Sequence, residues 1–232
     1  MPADAPELQL WSHVQNQRAN LFQGSQSRLR ALVRRAERFR GAGTLLNIGC
    51  GDGFLERAAQ QRGWKVISLD PDAAAIARLT SQGIDARCGS IEAMPLPSAS
   101  LDVVICTEVL EHLSSEAASA GLGEIARVLK PGGILLGTVP WREDLAASEV
   151  FCPHCGQTFH RWGHRQSFDE AGLRDLLSRH FSVLRLRAVY YPTWNVADWK
   201  GKLAIAARLL FARAGIHSDL SSIFFIARKP PR

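Results

Sequence analysis

Residues 45–55 read Leu45-Leu46-Asn47-Ile48-Gly49-Cys50-Gly51-Asp52-Gly53-Phe54-Leu55, an apolar run that breaks into three alternating glycines and resumes as an apolar pair. A buried strand that ends in such a turn and opens a helix brings bare backbone close to whatever lies across the strand end. A dinucleotide fingerprint would place its third glycine at position 54, where Phe54 stands, so the G-x-G-x-G spacing argues against a nicotinamide cofactor. The next apolar strand ends in Leu69-Asp70, where a carboxylate can accept hydrogen bonds from the two hydroxyls of a ribose.

Outward from this turn, short apolar runs alternate with helical patterns from Thr44 to Val139, the arrangement of βαβ units around a parallel sheet. The spacing predicts strands over Thr44–Ile48, Lys65–Leu69, Asp85–Cys88, Leu101–Cys106 and Gly133–Val139. Helices are expected over about 54–61, 73–81 and 114–129. Gly63 and Gly83 suit left-handed helix ends, Pro71 falls at an early helical position, and Pro131-Gly132-Gly133 stops the third helix. Ser167 and Glu170 have the spacing of a capping box and predict a helix over Phe168–Arg179. Strands follow over Phe181–Tyr190 and Ser221–Arg228, with a helical pattern from about Val196 to Ala214 between them. Residues 7–40 read as one or two helices packed over the open edge of the sheet.

The chain's 232 residues suffice for one sizeable core, and 46% hydrophobic with 22% charged residues is the balance of a soluble globular protein, not of a disordered or fibrous one. Met1 to Leu10 carries Asp4 and Glu7 and has neither the basic start nor the apolar core of an export signal. Leu203 to Phe211, the longest apolar stretch near the C-terminus, is cut by Arg208 and is too short to span a bilayer, so a cytoplasmic location is expected. Five cysteines in such a chain point to reduced thiols, not to a disulfide framework. A net charge of +6 favours anionic partners, but arginine is spread along the chain with one short cluster from Arg28 to Arg40.

The stretches LLNIGCGDGFL, VISLD, CGSIEAMPLPSASLDVVICTEVLEHL and LKPGG together resemble the Rossmann-like methyltransferases of the type 11 class, over about residues 44–140. The resemblance implies a three-layer α/β fold with a seven-stranded, mostly parallel sheet whose last strand is antiparallel, and S-adenosylmethionine as cofactor. It places Gly49, Gly51 and Gly53 along the methionine part, Asp70 at the ribose, Ser90-Ile91-Glu92 against adenine and Thr107-Glu108 facing the sulfonium. Asn47, Cys50 and Pro71 count among the cofactor contacts on the same ground. The family usually has Asp where Ser90 stands, and a hydroxyl is a weaker acceptor for the adenine amine. Asp102, at the head of a buried strand, reads as a structural group holding neighbouring backbone. The expected organisation is a helical cap over 1–43 and a methyltransferase domain over 44–232, with insertions at 141–166 and 191–216.

Methyl transfer from a sulfonium is an in-line displacement, so much of its rate can come from holding the nucleophile in attack geometry. A hydroxyl acceptor would gain from a base, and His112 is the nearest candidate by position, with a capping or packing role as the alternative. The run Phe151 to His164 gives C-x2-C-x4-H-x3-H through Cys152, Cys155, His160 and His164, the two-plus-two donor set that tetrahedral zinc accepts. A structural zinc and a metal-free loop both stand open, whereas a thioredoxin-like redox role would want the C-x-x-C at a helix start. Similar CPxCG segments followed by histidines occur in relatives of the resembled group, which implies a feature near the acceptor pocket.

Residues 190–215 mix Trp194, Trp199 and Phe211 with Lys200, Lys202, Arg208 and Arg213. A lid over the acceptor, a basic helix resting on an anionic membrane and an ordinary helix covering the sheet all fit this pattern. The expectation is an O- or N-methyltransferase acting on a small-molecule, saccharide or lipid-linked acceptor. One rival is an RNA methyltransferase; against nucleic acid, Cys106-Thr107-Glu108-Val109 stands where base-amine methylases carry an Asn-Pro-Pro-Tyr type of segment. The other rival is a non-catalytic scaffold that binds the cofactor, for which Ser90 is the only encouragement.

Overall fold

The computed structural model describes residues 6–218 and 220–231. A seven-stranded sheet is built from β1 (Thr44–Ile48), β2 (Lys65–Asp70), β3 (Asp85–Cys88), β4 (Leu101–Thr107), β5 (Leu129–Pro140), β8 (Ser182–Tyr190) and β9 (Ser221–Arg228). Their order across the sheet is β3-β2-β1-β4-β5-β9-β8; β9 runs antiparallel to both neighbours and the remaining pairs are parallel. The chain moves outward from β1 through β2 to β3 and then crosses back to β4 on the other side of β1. At such a reversal the connections leave in opposite directions and open a crevice beyond the carboxyl ends of the strands.

The central strands are apolar almost throughout because helices cover both faces. Leu45, Val103, Ile105, Ile134, Leu136 and Phe224 point to one layer, where they pack on Leu32, Val33 and Ala36 of α2 (Gln26–Arg40) and Leu55 and Ala59 of α3 (Phe54–Gln60). Leu46, Ile48, Val104 and Leu135 point to the other, against Leu122, Ile125 and Val128 of α5 (Ser115–Val128) and Leu173 and Leu177 of α6 (Glu170–Ser178). Each fully buried leucine of these stripes contributes about 1.5–3 kcal/mol relative to exposure. Short polar side chains begin the helices: Ser114 accepts from the Ala117 N–H of α5, and Asp72 from the Ala74 N–H of α4 (Ala73–Ser81).

Asp102 is structural, as its place at a strand head suggested. Its Oδ2 accepts the Thr44 N–H at 3.0 Å and lies 3.0 Å from Lys130 Nζ, which ties the first residues of β1 and β4 to the start of β5. Burial alone would raise this carboxyl, but the Thr44 N–H, Lys130 and Arg40 overcome that and hold it below the ordinary aspartate value.

Several boundaries differ from the sequence expectation. β5 begins at Leu129, directly after α5, and passes through Pro131-Gly132-Gly133 with a register shift against β4. The cap of α6 is Asp169, whose carboxylate accepts the Gly172 N–H at 2.8 Å, so the Ser167–Glu170 box does not form. The first five residues of the expected cap over 1–43 lie outside the described residues. Of its remainder, α2 packs on a face of the sheet, not over an edge, and α1 (Pro6–Gln17) lies against α4. A two-stranded hairpin, β6 (Glu149–Phe151) and β7 (Thr158–His160), was absent from the sequence reading because three residues carry too little periodicity to register.

Candidate active site

A chamber of about 760 Å³ opens beyond the carboxyl ends of β1, β2 and β4, at the reversal of strand order. Its floor is the glycine turn and Asp70; its roof is α1 and the short turn of helix after it, which contribute Trp11, Gln15 and Phe22. Asp70 is 2% exposed. Its Oδ2 accepts the Cys50 N–H at 2.9 Å and the Gln15 amide at 3.3 Å, and its Oδ1 accepts the Asp72 N–H at 2.9 Å. The carboxylate is thus fixed at the end of β2, at the wall where the sequence reading placed a ribose.

Of the expected cofactor contacts, Asn47, Gly49, Cys50, Gly51, Asp70, Pro71, Ser90, Ile91, Glu92, Thr107 and Glu108 all line the chamber. Gly53 does not. A Cβ there would meet Leu79 Cδ2 at 2.5 Å on a left-handed backbone (φ 77°), so this glycine serves helix packing. Gly51 is also left-handed (φ 51°), and a Cβ on it would come 3.2 Å from the Phe22 ring. Asn47 faces inward to the fold: its amide donates to Glu56 Oε1 at 2.8 Å, which also accepts from Ser68 Oγ at 2.6 Å. Burial raises the Glu56 carboxyl, opposed by those two hydrogen bonds.

At the end of β4 a polar chain faces the chamber. Thr107 Oγ1 and Thr138 Oγ1 are 2.6 Å apart, and Thr138 donates to Glu108 Oε1 at 2.7 Å. Glu108 has a φ of 54°, a left-handed conformation that a non-glycine residue adopts at a cost, and Arg28 lies 3.4 Å from its Oε2.

Beyond Glu108 the structure gathers residues from distant parts of the chain. His112 stacks edge-on to His164 with centroids 4.6 Å apart and to Trp11 at 5.1 Å. His164 Nδ1 is 2.5 Å from Glu143 Oε2, and His160 Nε2 is 3.4 Å from Glu143 Oε1. Burial, then His164, pushes the His112 imidazole down to about 3. A ring so far down is a weak base, which counts against general-base catalysis by His112. Glu111 is fully buried.

The predicted zinc set does not come together. The β6–β7 register pairs His160 with Glu149 at the base of the hairpin and Thr158 with Phe151 near its tip. Cys152 and Cys155 occupy the tip turn, closed by the Cys152 N–H on Gln157 O at 2.8 Å, beyond two strand steps of about 3.3 Å each from His160. Among the described residues the metal-capable groups are instead Glu111–His112–His164 and Glu143–His160–His164, with donor atoms within 4.8 Å in each. Cys152 and Cys155 thus lie at the hairpin tip and His160 at its base, and the four residues are not gathered as one donor set among the described residues.

Residues 191–216, the second insertion, are not among those that line the chamber. The Pro192 carbonyl accepts from Ser27 Oγ at 2.6 Å and Asn195 donates to Gln23 O at 2.6 Å, so its first part braces the cap. α7 (Trp199–Arg213) buries Ile205 while Trp199, Leu203, Leu210 and Phe211 stay exposed. No helix of the described residues is long and apolar enough to cross a membrane. Sequence reasoning missed Trp11, Gln15, Glu143 and Trp162 on the chamber wall; each lacks a local motif.

Comparison with known proteins agrees with this geometry. A model of the methyltransferase domain family matches residues 46–137. A ubiquinone biosynthesis O-methyltransferase of Bradyrhizobium sp. is 40% identical over 98 residues, which is 40% of this chain and 38% of that protein. A malonyl-[acyl-carrier protein] O-methyltransferase of Serratia marcescens is 36% identical over 94 residues, 40% of this chain and 36% of its own length. The match thus spans under two fifths of either relative. Among solved structures, the 1,6-didemethyltoxoflavin-N1-methyltransferase of Burkholderia thailandensis superposes with a TM-score of 0.66 at 16% identity, covering 97% of this chain and 87% of that one. At that identity the likeness establishes the fold.

Proposed function

We propose, from the premise that residues 46–137 are a methyltransferase domain on a class I, Rossmann-like fold, that this chain moves a methyl group from S-adenosylmethionine to an oxygen or nitrogen of a small-molecule acceptor. The observation that carries the reading is the buried Asp70 carboxylate, fixed beside the glycine turn at the strand reversal and facing a chamber continuous from Ser90 to His164. Two oxygens held by backbone N–H groups are oriented to accept from vicinal ribose hydroxyls, with Gln15 displaced or shared.

The cofactor supplies an electrophilic methyl on a positively charged sulfur. The chain's own groups orient and enclose it. Ile91 offers an apolar wall for the adenine and Ser90 or Glu92 a polar edge. The bare backbone of Gly49 and Gly51 admits the methionine part, and Glu108 provides negative charge near the sulfonium. With the cofactor bound there, an acceptor lone pair would take the methyl in line with the breaking carbon–sulfur bond, with S-adenosylhomocysteine as leaving group and the acceptor proton passing to solvent. Positioning supplies most of such a rate enhancement. The relatives named above methylate oxygen by their names, and the Burkholderia enzyme nitrogen.

Calorimetric titration with S-adenosylmethionine tests the reading. Loss of two hydrogen bonds to a charged acceptor is worth about 1.5–3 kcal/mol each, so Asp70→Ala should weaken binding by about a hundredfold or more. Asp70→Asn, which keeps the shape, should weaken it less. A folded Asp70→Ala protein with unaltered affinity, or an intact chain that binds no cofactor, sinks the assignment.

A further inference from the structure

We infer that Glu111, His112 and His164 form the binding site of one divalent metal ion of the imidazole-preferring kind, set in the acceptor-side wall of the chamber. Their donor atoms already lie within 4.8 Å of one another. His112 and His164 line the chamber, so an ion between them would present its remaining coordination positions to whatever occupies that space. One carboxylate and two imidazoles with open positions is the donor set of catalytic divalent-metal centres, not of closed structural ones.

Glu111 supplies the second, independent observation. It is 0% exposed, and neither carboxylate oxygen has a hydrogen-bond partner among the described residues. Buried carboxylates without donors are costly, and a bound cation removes the cost by direct coordination. The histidines show the matching pattern. His164 Nδ1 faces Glu143 Oε2, the carboxylate–histidine pairing that fixes a ligand's tautomer and leaves Nε2 with its lone pair. His112 Nδ1 lies 3.3 Å from both the Gly163 carbonyl and Trp11 Nε1, and Trp11 Nε1 is closer, at 3.1 Å, to Trp162 O. The arrangement that satisfies every group has Trp11 donating to Trp162 O and His112 Nδ1–H donating to Gly163 O. His112 Nε2 is then also a free lone pair.

The overlapping group Glu143–His160–His164 is the poorer site for the same reason. His160 Nδ1 accepts the Trp162 and His164 N–H groups at 3.3 and 3.1 Å, which puts the ring proton on Nε2, the nitrogen nearest Glu143. Glu143 and His160 thus orient His164 from behind. The insertion that carries the C-x-x-C delivers one ligand, His164, to a partner pair fixed at the end of β4.

The metal claim stands apart from methyl transfer, and its test uses neither cofactor nor acceptor. The full chain carrying Cys152→Ser and Cys155→Ser, which removes the two thiols of the C-x-x-C, is stripped with chelator and titrated with Zn2+ by calorimetry. One equivalent should bind, and His164→Ala or Glu111→Gln in that background should weaken binding by about tenfold or more. Glu143→Gln should weaken it by a smaller factor. Co2+ loaded into the wild-type chain should give visible bands attributable to nitrogen and oxygen donors without an intense thiolate charge-transfer band. Glu111 is buried and its variant can fail to fold; His164→Ala, on the insertion, then decides. A folded double serine variant that takes up no Zn2+, uptake indifferent to His164→Ala, or a strong thiolate band with affinity lost in the double serine variant overturns the inference. S-adenosylhomocysteine affinity of the same samples reports separately on the methyltransferase reading.

Discussion

The two halves of the chamber are made in different ways. On the side proposed for the cofactor, the framework contacts join near neighbours in sequence, the Asn47 amide reaching Glu56 and the Cys50 N–H reaching Asp70 twenty residues on, while Gln15 of α1 closes on Asp70 across 55 residues. On the acceptor side, Trp11 donates to the Trp162 carbonyl, 151 residues away, and His112 meets Gly163 across 51 residues. The first half follows from a strand, a turn and a helix in succession, which any chain with this topology repeats. The second exists only once a cap and an insertion have folded onto the sheet, and α1 touches both halves, through Gln15 at Asp70 and Trp11 at the insertion. On the proposed function, a general cofactor site and a particular acceptor site would rest on largely different structural supports, joined by α1.

The sharpest way to break this separation, after Asp70, is Gly51→Val. A β-branched residue in the left-handed region costs about 1–2 kcal/mol, and its Cβ would press on Phe22 across the chamber mouth. Cofactor affinity should fall by about tenfold, read by calorimetry with S-adenosylhomocysteine, while Zn2+ uptake at the acceptor wall is retained. Unaltered cofactor binding would show that the glycine turn is not the cofactor's floor.

Trp11→Ala strikes the other half. It removes one hydrogen bond to the base of the insertion and an edge-on ring contact to His112, together worth about 1–2 kcal/mol. Amide exchange over residues 160–164 should accelerate by about fivefold or more, and exchange over 45–50 should not change. Acceleration in both segments would mean that the halves open as one unit.

The same division explains what could be read in the sequence. The bounds of β1, β3, α4 and β9 agree with expectation because apolar period, Asp72 and the flanking glycines are all local signals. Asp70 and the Ser90–Glu92 segment were legible for the same reason: both sit at strand ends that topology brings together. His112 and His164 were read into two different sites because nothing local says that they touch. The spacing of Cys152, Cys155, His160 and His164 suggests a compact knuckle, whereas Thr158-Phe159-His160 pairs as a strand and leaves the thiols at the hairpin tip. Glu143 and Gln15 have no motif at all, and only the folded chain assigns them to a wall.

The smallest effect belongs to a group outside both halves. Asp102→Asn keeps an oxygen for the Thr44 N–H and deletes only the charge facing Lys130 and Arg40. Those cations are more than a third exposed, so solvent screens them and the loss should be about 1 kcal/mol or less, a fall in Tm of roughly 2–4 °C at pH 7. Because the folded carboxyl lies below its unfolded value, its contribution is complete above the unfolded value near 3.9 and fades as pH drops through the folded one. The Tm difference between wild type and Asp102→Asn should therefore hold from pH 7 down to about 5 and close toward pH 3. Cofactor affinity should stay within about twofold throughout, since Asp102 ties the amino ends of β1 and β4, opposite the ends that carry the chamber. A larger loss of affinity would mean that the frame and the cofactor half are coupled through β1, and the separation argued above would have to be redrawn at the sheet itself.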